Sequence, residues 1–194
     1  MGRVVKSWTQ KPQGLNQAVH PRILKVFDYG ELGERLIKKS LPADENTPIQ
    51  NLHFDEYIYD GMGRLIKHIA PWGAVTGYRY SGRKVEVTAP GGAITLIEND
   101  ALGRPIHITD PELGITSYAY GPFQSLTSVL DASGALTVYE RDALGRVTSL
   151  QDPDRGTTVS QYNGFGELTH SEDALGRSVD LYYDSIGRLT SKID

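Results

Sequence analysis

The chain has 194 residues, a formal net charge of −4 and no cysteine. That length suits one domain or a piece of a longer array, and the lack of Cys excludes disulfides, thiolate metal sites and a Cys nucleophile. The small acidic charge gives no field for nucleic acid or an anionic membrane, so neither is expected as a partner.

In chain order, Val4–Trp8 and Arg22–Phe27 are predicted strands, and Gln10–Pro21 and Ser40–Gln50 are predicted long polar loops. The best helical candidate is Glu31–Lys39, although Leu36 and Ile37 fit a strand equally well. Residues 1–57 form a divergent part, read as degenerate repeats, and residues 58–194 form a regular array. Within the array Val85, Val87 and Ala89 share one face of a segment, as do Ile106 and Ile108. Period-two alternation with one apolar side predicts half-buried antiparallel strands. The expected fold is all-β, with consecutive antiparallel hairpins laid side by side in one twisted, curved sheet. No apolar run approaches the roughly 18 residues of a membrane helix. Residues 1–14 lack an apolar signal region, so no classical signal peptide is expected.

An internal repeat organises the array. The pattern D-x-x-G-R occurs at Asp60, Gly63 and Arg64; Asp100, Gly103 and Arg104; Asp142, Gly145 and Arg146; and Asp184, Gly187 and Arg188. Glycines at 82, 103, 145, 166 and 187 are separated by 21, 42, 21 and 21 residues, so one repeat is degenerate around Gln124. Gly63 precedes Gly82 by 19, a slip in register. A second turn lies half a repeat on, at Asp110–Gly114, Asp131–Gly134, Asp152–Gly156 and Asp173–Gly176, with shorter forms at Pro71–Gly73 and Pro90–Gly92. Asp173, Gly176 and Arg177 spell a first-turn motif in a second-turn slot, which makes the two turns interchangeable by sequence. Gly supplies positive φ for a tight turn, and Asp accepts backbone N–H groups two residues on.

Each conspicuous residue has a plain reading beside a sharper one. The repeated Asp residues are turn formers, because a catalytic pair needs unlike environments and a repeat supplies like ones. The arginines pair with a turn Asp or a neighbouring acid in preference to forming an anion-binding row. Tyr78, Tyr80, Tyr118, Tyr120, Tyr139, Tyr162, Tyr182 and Tyr183 precede the first turns. They are read as cross-strand packing, with a ligand or partner surface for sugar rings as the alternative. His20, His53, His68, His107 and His170 have no metal-ligand spacing, so no metal or other cofactor is expected. His68 and His107 are expected to lie in one row along their strands. No G-x-S-x-G or phosphate-binding loop is present, so catalysis is not expected.

The segments Tyr59–Leu65, Asn99–Pro105, Arg141–Val147 and Tyr183–Leu189 resemble the Rhs/YD-repeat family, over residues 57–194 and more weakly at Phe27–Gly30. That family includes bacterial Rhs polymorphic toxins, the shell-forming subunits of Tc insecticidal toxins and the teneurins. The resemblance implies a sheet that spirals into a hollow shell around a toxin domain, in an exported or cell-surface setting. The family's aspartyl autoproteolytic core is not matched: the Asp-Pro-x-x-Gly runs at Asp110 and Asp152 recur as hairpin turns. About six and a half periods are too few to enclose a domain, and the chain ends inside a repeat at Asp194. The expectation is therefore a fragment, a truncated product or one piece of a split shell, without chemistry of its own. Its partners would be other shell segments or a second copy through sheet edges, and an enclosed toxin domain. The alternative function is a surface module that binds glycans or proteins.

Overall fold

The computed structural model describes residues 3–10, 22–29 and 35–194. Its strands belong to one 18-stranded antiparallel sheet. Two compact units divide the chain, residues 1–96 and 97–194. Gln10, expected to open a loop, ends a strand, while the rest of that loop to Pro21 and the start of the helical candidate at Glu31 lie outside the described residues.

The first unit begins with β1 (Arg3–Gln10) and β2 (Arg22–Tyr29), paired over their full length from Arg3 opposite Tyr29 to Gln10 opposite Arg22. The described end of the helical candidate is a strand, β3 (Leu36–Ser40), which pairs with β2. The helical pattern there was short, and a neighbouring strand edge decides such ambiguous apolar runs. The predicted polar loop after Ser40 contains β4 (Ala43–Asp44), paired to β2, and a single 3₁₀ turn at Ile49–Asn51. Then β5 (Phe54–Tyr59) pairs with β3, and β6 (Leu65–Ile69), β7 (Val75–Ser81) and β8 (Lys84–Thr88) follow as a meander.

The core of this unit sits where β2 is covered by the β4 loop. Leu24, Val26 and Leu52 are buried, with Ala43 and Phe54 against them. Ser40 is only 1% exposed, and its hydroxyl accepts the backbone N–H of Val26 at 2.8 Å. A buried N–H without a partner is costly, so Ser40 serves a donor that the ladder leaves open.

A strand across the division, β9 (Ile94–Asn99), leads into the second unit. There β10 (Pro105–Thr109), β11 (Ile115–Tyr120), β12 (Leu126–Leu130), β13 (Leu136–Arg141) and β14 (Val147–Asp152) run on into β15 (Gly156–Tyr162), β16 (Leu168–Glu172), β17 (Ser178–Tyr183) and β18 (Leu189–Ile193). Each pairs antiparallel with the next. Among its described residues none is fully buried, and Ile115, Leu136 and Val159 are 52%, 47% and 42% exposed. The half-buried alternation expected of such strands is present in β10, where Ile106 and Ile108 are half-buried and His107 between them is exposed. Stability here must come from ladder hydrogen bonds and cross-strand pairs.

Two local expectations also change. Leu113 holds the positive φ of its turn (70°), while Gly114 provides space: a Cβ there would meet the Ala132 methyl at 2.9 Å and the Asp110 carboxylate at 2.6 Å. His68 lies opposite Tyr57 and stacks on it at 5.0 Å, whereas His107 lies opposite Ser117. His68 is half-buried and His107 is exposed, so the two do not share one environment. A one-residue offset reverses a side chain's face.

Leu24→Ala is expected to lower unfolding stability by about 2–5 kcal/mol, and Ser40→Ala by about 1–3 kcal/mol. Val159→Ala is expected to cost under ~0.5 kcal/mol. Urea denaturation of the three variants checks the order, and an equal effect for all three would place the core elsewhere.

Candidate functional site: the ladder of first turns

The first turns at Asp60, Asp100, Asp142, Asn163 and Asp184 share one backbone design. In the turn at Asp60 the Asp60 N–H donates to the Arg64 carbonyl and the Gly63 N–H to the Asp60 carbonyl, both at 2.9 Å. Gly63 has φ 81°, and the register shifts between Ile58 and Tyr59. This is a three-residue hairpin loop closed by a glycine bulge. The same bonds recur at Asp100, Asp142 and Asp184. At Tyr80 the chain instead makes a two-residue turn, Ser81 opposite Lys84, with Gly82 at φ 58° and no bulge. Losing the bulge and one loop residue shortens this repeat by two, which accounts for the slip in register.

The Asp side chain then organises the tip. Asp142 Oδ1 accepts the N–H groups of Leu144 and Arg146, each at 3.0 Å, and Oδ2 accepts Arg146 Nε at 2.6 Å. Asp60, Asp100, Asp173 and Asp184 make the same three contacts. These bonds hold the carboxyls below the usual carboxylate range against the opposing effect of partial burial. The largest cause is the backbone N–H of Arg64, Arg104 and Arg188 for Asp60, Asp100 and Asp184. For Asp142 and Asp173 it is the guanidinium of Arg146 and Arg177.

The tyrosines tie one turn to the next hairpin. Tyr80 Oη donates to the Leu65 carbonyl, Tyr120 Oη to Pro105, Tyr162 Oη to Val147 and Tyr183 Oη to Leu168, at 2.8–3.0 Å. The arginine just before three of those carbonyls lies over the ring: Arg64 on Tyr80 at 4.5 Å, Arg104 on Tyr120 at 4.3 Å and Arg146 on Tyr162 at 4.8 Å. Each arginine is thus held in-plane by its own aspartate and face-on by the next repeat's tyrosine. Tyr59 makes the same contacts to the Leu36 carbonyl and to Arg35, at 3.0 and 5.9 Å, across the longer β3–β5 connection.

The ladder separates turns that looked interchangeable by sequence. Arg177 has its aspartate but no ring in contact among the described residues, and its side chain is 75% exposed; those of Arg104 and Arg146 are 23% and 24% exposed. The sixth turn inverts the polarity: Asn163 donates to Glu167 Oε2 at 2.6 Å, and its carbonyl accepts Arg146 Nη1 at 3.0 Å. Gly187 holds its turn at φ 83°, and Glu167 Oε1 lies beside its Cα.

Of the tyrosines singled out in the sequence, Tyr80, Tyr120, Tyr162 and Tyr183 are half-buried in these links, Tyr78, Tyr118 and Tyr139 are half-buried one pleat further along the same faces, and Tyr182 is 51% exposed on the other side. The sequence reading missed the apolar tips. Leu102, Phe123, Leu144, Phe165 and Ile186 recur every 21 residues at 66%, 95%, 74%, 93% and 72% exposure, and Met62 holds the equivalent place in the first unit. The signal was available in the middle of the D-x-x-G-R motifs for Met62, Leu102, Leu144 and Ile186, and at the same 21-residue spacing for Phe123 and Phe165. Among the described residues no three His, Asp or Glu side chains converge as a metal site.

Tyr162→Phe is expected to cost about 1 kcal/mol, one net hydrogen bond, whereas Tyr182→Phe should leave the unfolding midpoint unchanged. Equal effects would remove the linking role. A depressed carboxyl pKa contributes stability that is complete above the unfolded value of ~4 and is lost as pH falls through the folded one. The melting temperature should therefore hold from pH 7 to about 5 and fall below ~4, less steeply in the Asp142→Asn, Asp184→Asn double variant. A flat profile by circular dichroism down to about pH 2 would contradict this.

Residues 124–157 match the RHS repeat family. No curated protein matches the chain in sequence. Among solved structures it is similar to TcdB2–TccC3, with 17% identity and a TM-score of 0.72 over 98% of this chain and 12% of that one. It is also similar to that complex without its hypervariable C-terminal region, at 13% identity and TM-score 0.64 over 97% of this chain and 13% of that one. The Photorhabdus luminescens Tc holotoxin pore aligns at 12% identity and TM-score 0.67, over 97% of this chain and 14% of that one. The chain thus spans about an eighth of the length of the solved chains it matches. The chain thus carries an RHS repeat over residues 124–157, and its all-β sheet has the fold of these solved Tc toxin chains.

Proposed function

We propose that this chain is a wall segment of a toxin shell that encloses an effector domain and has no chemistry of its own. The observation that carries the reading is the ladder itself. The first turns at Asp60, Asp100, Asp142 and Asn163 are each completed by a tyrosine of the next repeat, so the sheet can be lengthened in register without a new kind of contact. The likeness to the TcdB2–TccC3 structures supports the same reading.

A wall must also meet other wall segments. The apolar tips of the second unit offer a seam: a row of Leu, Phe and Ile side chains that water solvates poorly, spaced by the repeat. Other shell segments, or a second copy, are the partners that such a row fits.

The test is protease protection of the longer product in which this segment is joined to its C-terminal effector domain. The effector is expected to survive while exposed termini are trimmed. Leu144→Lys, Phe165→Lys and Ile186→Lys together should open the seam and restore cutting. An effector cut as fast inside the product as when free would overturn enclosure.

A further inference from the structure

The ladder breaks between the turns at residues 121–125 and 142–146. In three repeats an arginine sixteen residues before a tyrosine covers its ring, as Arg64 covers Tyr80, Arg104 covers Tyr120 and Arg146 covers Tyr162. Here Ser125 occupies the arginine slot and Arg141 the tyrosine slot. Neither side chain can rebuild the stack. Arg141 imitates the missing tyrosine only in part: Nε points at the Leu126 carbonyl from 3.4 Å, the register a tyrosine hydroxyl would take, and Nη1 donates to the Gly145 carbonyl at 2.9 Å.

In place of the stack is a cleft of about 570 Å³, lined by Phe123, Ser125, Thr127, Tyr139, Arg141 and Leu144 among others. That volume is of the order of small-molecule sites. Phe123 is 95% exposed and sits with Gln124 at positive φ (56° and 62°), so the degenerate turn presents its ring to solvent. Arg141 lies loosely beside Tyr139, 5.7 Å from the ring centroid. No carboxylate among the described residues pairs with Arg141, whereas Asp142 is already engaged by Arg146.

We propose that this cleft binds an acidic saccharide, a sugar ring carrying a carboxylate. The guanidinium supplies unused N–H donors in the fork geometry that fits a carboxylate. Tyr139 and Phe123 offer apolar faces for a ring, and the Ser125 and Thr127 hydroxyls can accept from sugar hydroxyls. An extended peptide fits less well, because it would need free backbone donors to add a strand. The turn N–H groups of Gly121, Ser125, Asp142 and Gly145 are all committed to carbonyls within their own turns, and that of Leu144 to the Asp142 carboxylate. The proposal does not depend on the shell reading, and either can fail alone.

The test titrates the isotope-labelled 194-residue chain with sodium glucuronate, glucose and acetyl-phenylalanine, read by amide chemical shifts. Saturable shifts confined to residues 121–127 and 139–146 are expected with glucuronate, at an affinity roughly tenfold or more above that for glucose. The Ser125→Arg, Arg141→Tyr double variant restores the repeat pattern. It should lose glucuronate affinity by roughly tenfold or more while its melting temperature rises by about 2–4 °C. Should that variant not fold, Arg141→Gln should abolish the preference for glucuronate over glucose with the circular dichroism spectrum unchanged. Equal response to glucose, response to acetyl-phenylalanine alone, or no saturable shift up to about 50 mM of any of them would overturn the proposal.

Discussion

A two-stranded hairpin is marginal in water by itself, and the second unit of this chain has no fully buried residue to help it. What holds its hairpins in sequence is the contact between one repeat's turn and the next repeat's strand: an aspartate fixes an arginine, and the arginine covers a tyrosine that bonds back to the carbonyl beside it. Each component is weak. An exposed cation–π contact is worth on the order of 0.5–1 kcal/mol, and a hydrogen bond about as much again. The arrangement gains because the same guanidinium serves both partners, so it is ordered once for two contacts.

This coupling is directional along the chain. An arginine reaches forward to a tyrosine sixteen residues on, and Arg188, with no ring over it among the described residues, is 76% exposed. The second turns have no such forward partner, and Asp173 with Arg177 makes the full local motif without gaining the stack. The sheet of the second unit is therefore asymmetric. One rim carries the ladder and the apolar tips, and the other carries isolated turns closed mainly by Asp and Gly.

Degenerate repeats are informative against this background. At Tyr80 a shorter turn removes the bulge but keeps the tyrosine link. At Asn163 a neutral amide replaces the aspartate and Glu167 the arginine, so Tyr183 has no guanidinium over it, yet the turn keeps its bonds and the tyrosine its link. At Ser125 and Arg141 the stack is lost and a cleft takes its place. The first two substitutions preserve the joint between repeats, and the third exchanges it for an accessible surface with one unpaired cation.

Much of this was legible in the residues. The period, the positive-φ glycines and the Asp-capped turns follow from local rules, since hairpin geometry is decided within five residues. The all-β class followed from alternation. What the sequence could not reveal was decided by pairing between strands distant along the chain. The face on which His68 and His107 lie depends on register, and one residue reverses it. Ser40 reads as the start of a polar loop, but β2 beside it turns its hydroxyl into a buried acceptor. The role of the tyrosines was ambiguous for the same reason: their carbonyl partners lie 15 residues upstream in every repeat of the second unit where the link forms. The repeat by itself determined the turns and the strands between them; only the assembled sheet decided which arginine meets which ring, because that contact exists only when neighbouring hairpins are side by side.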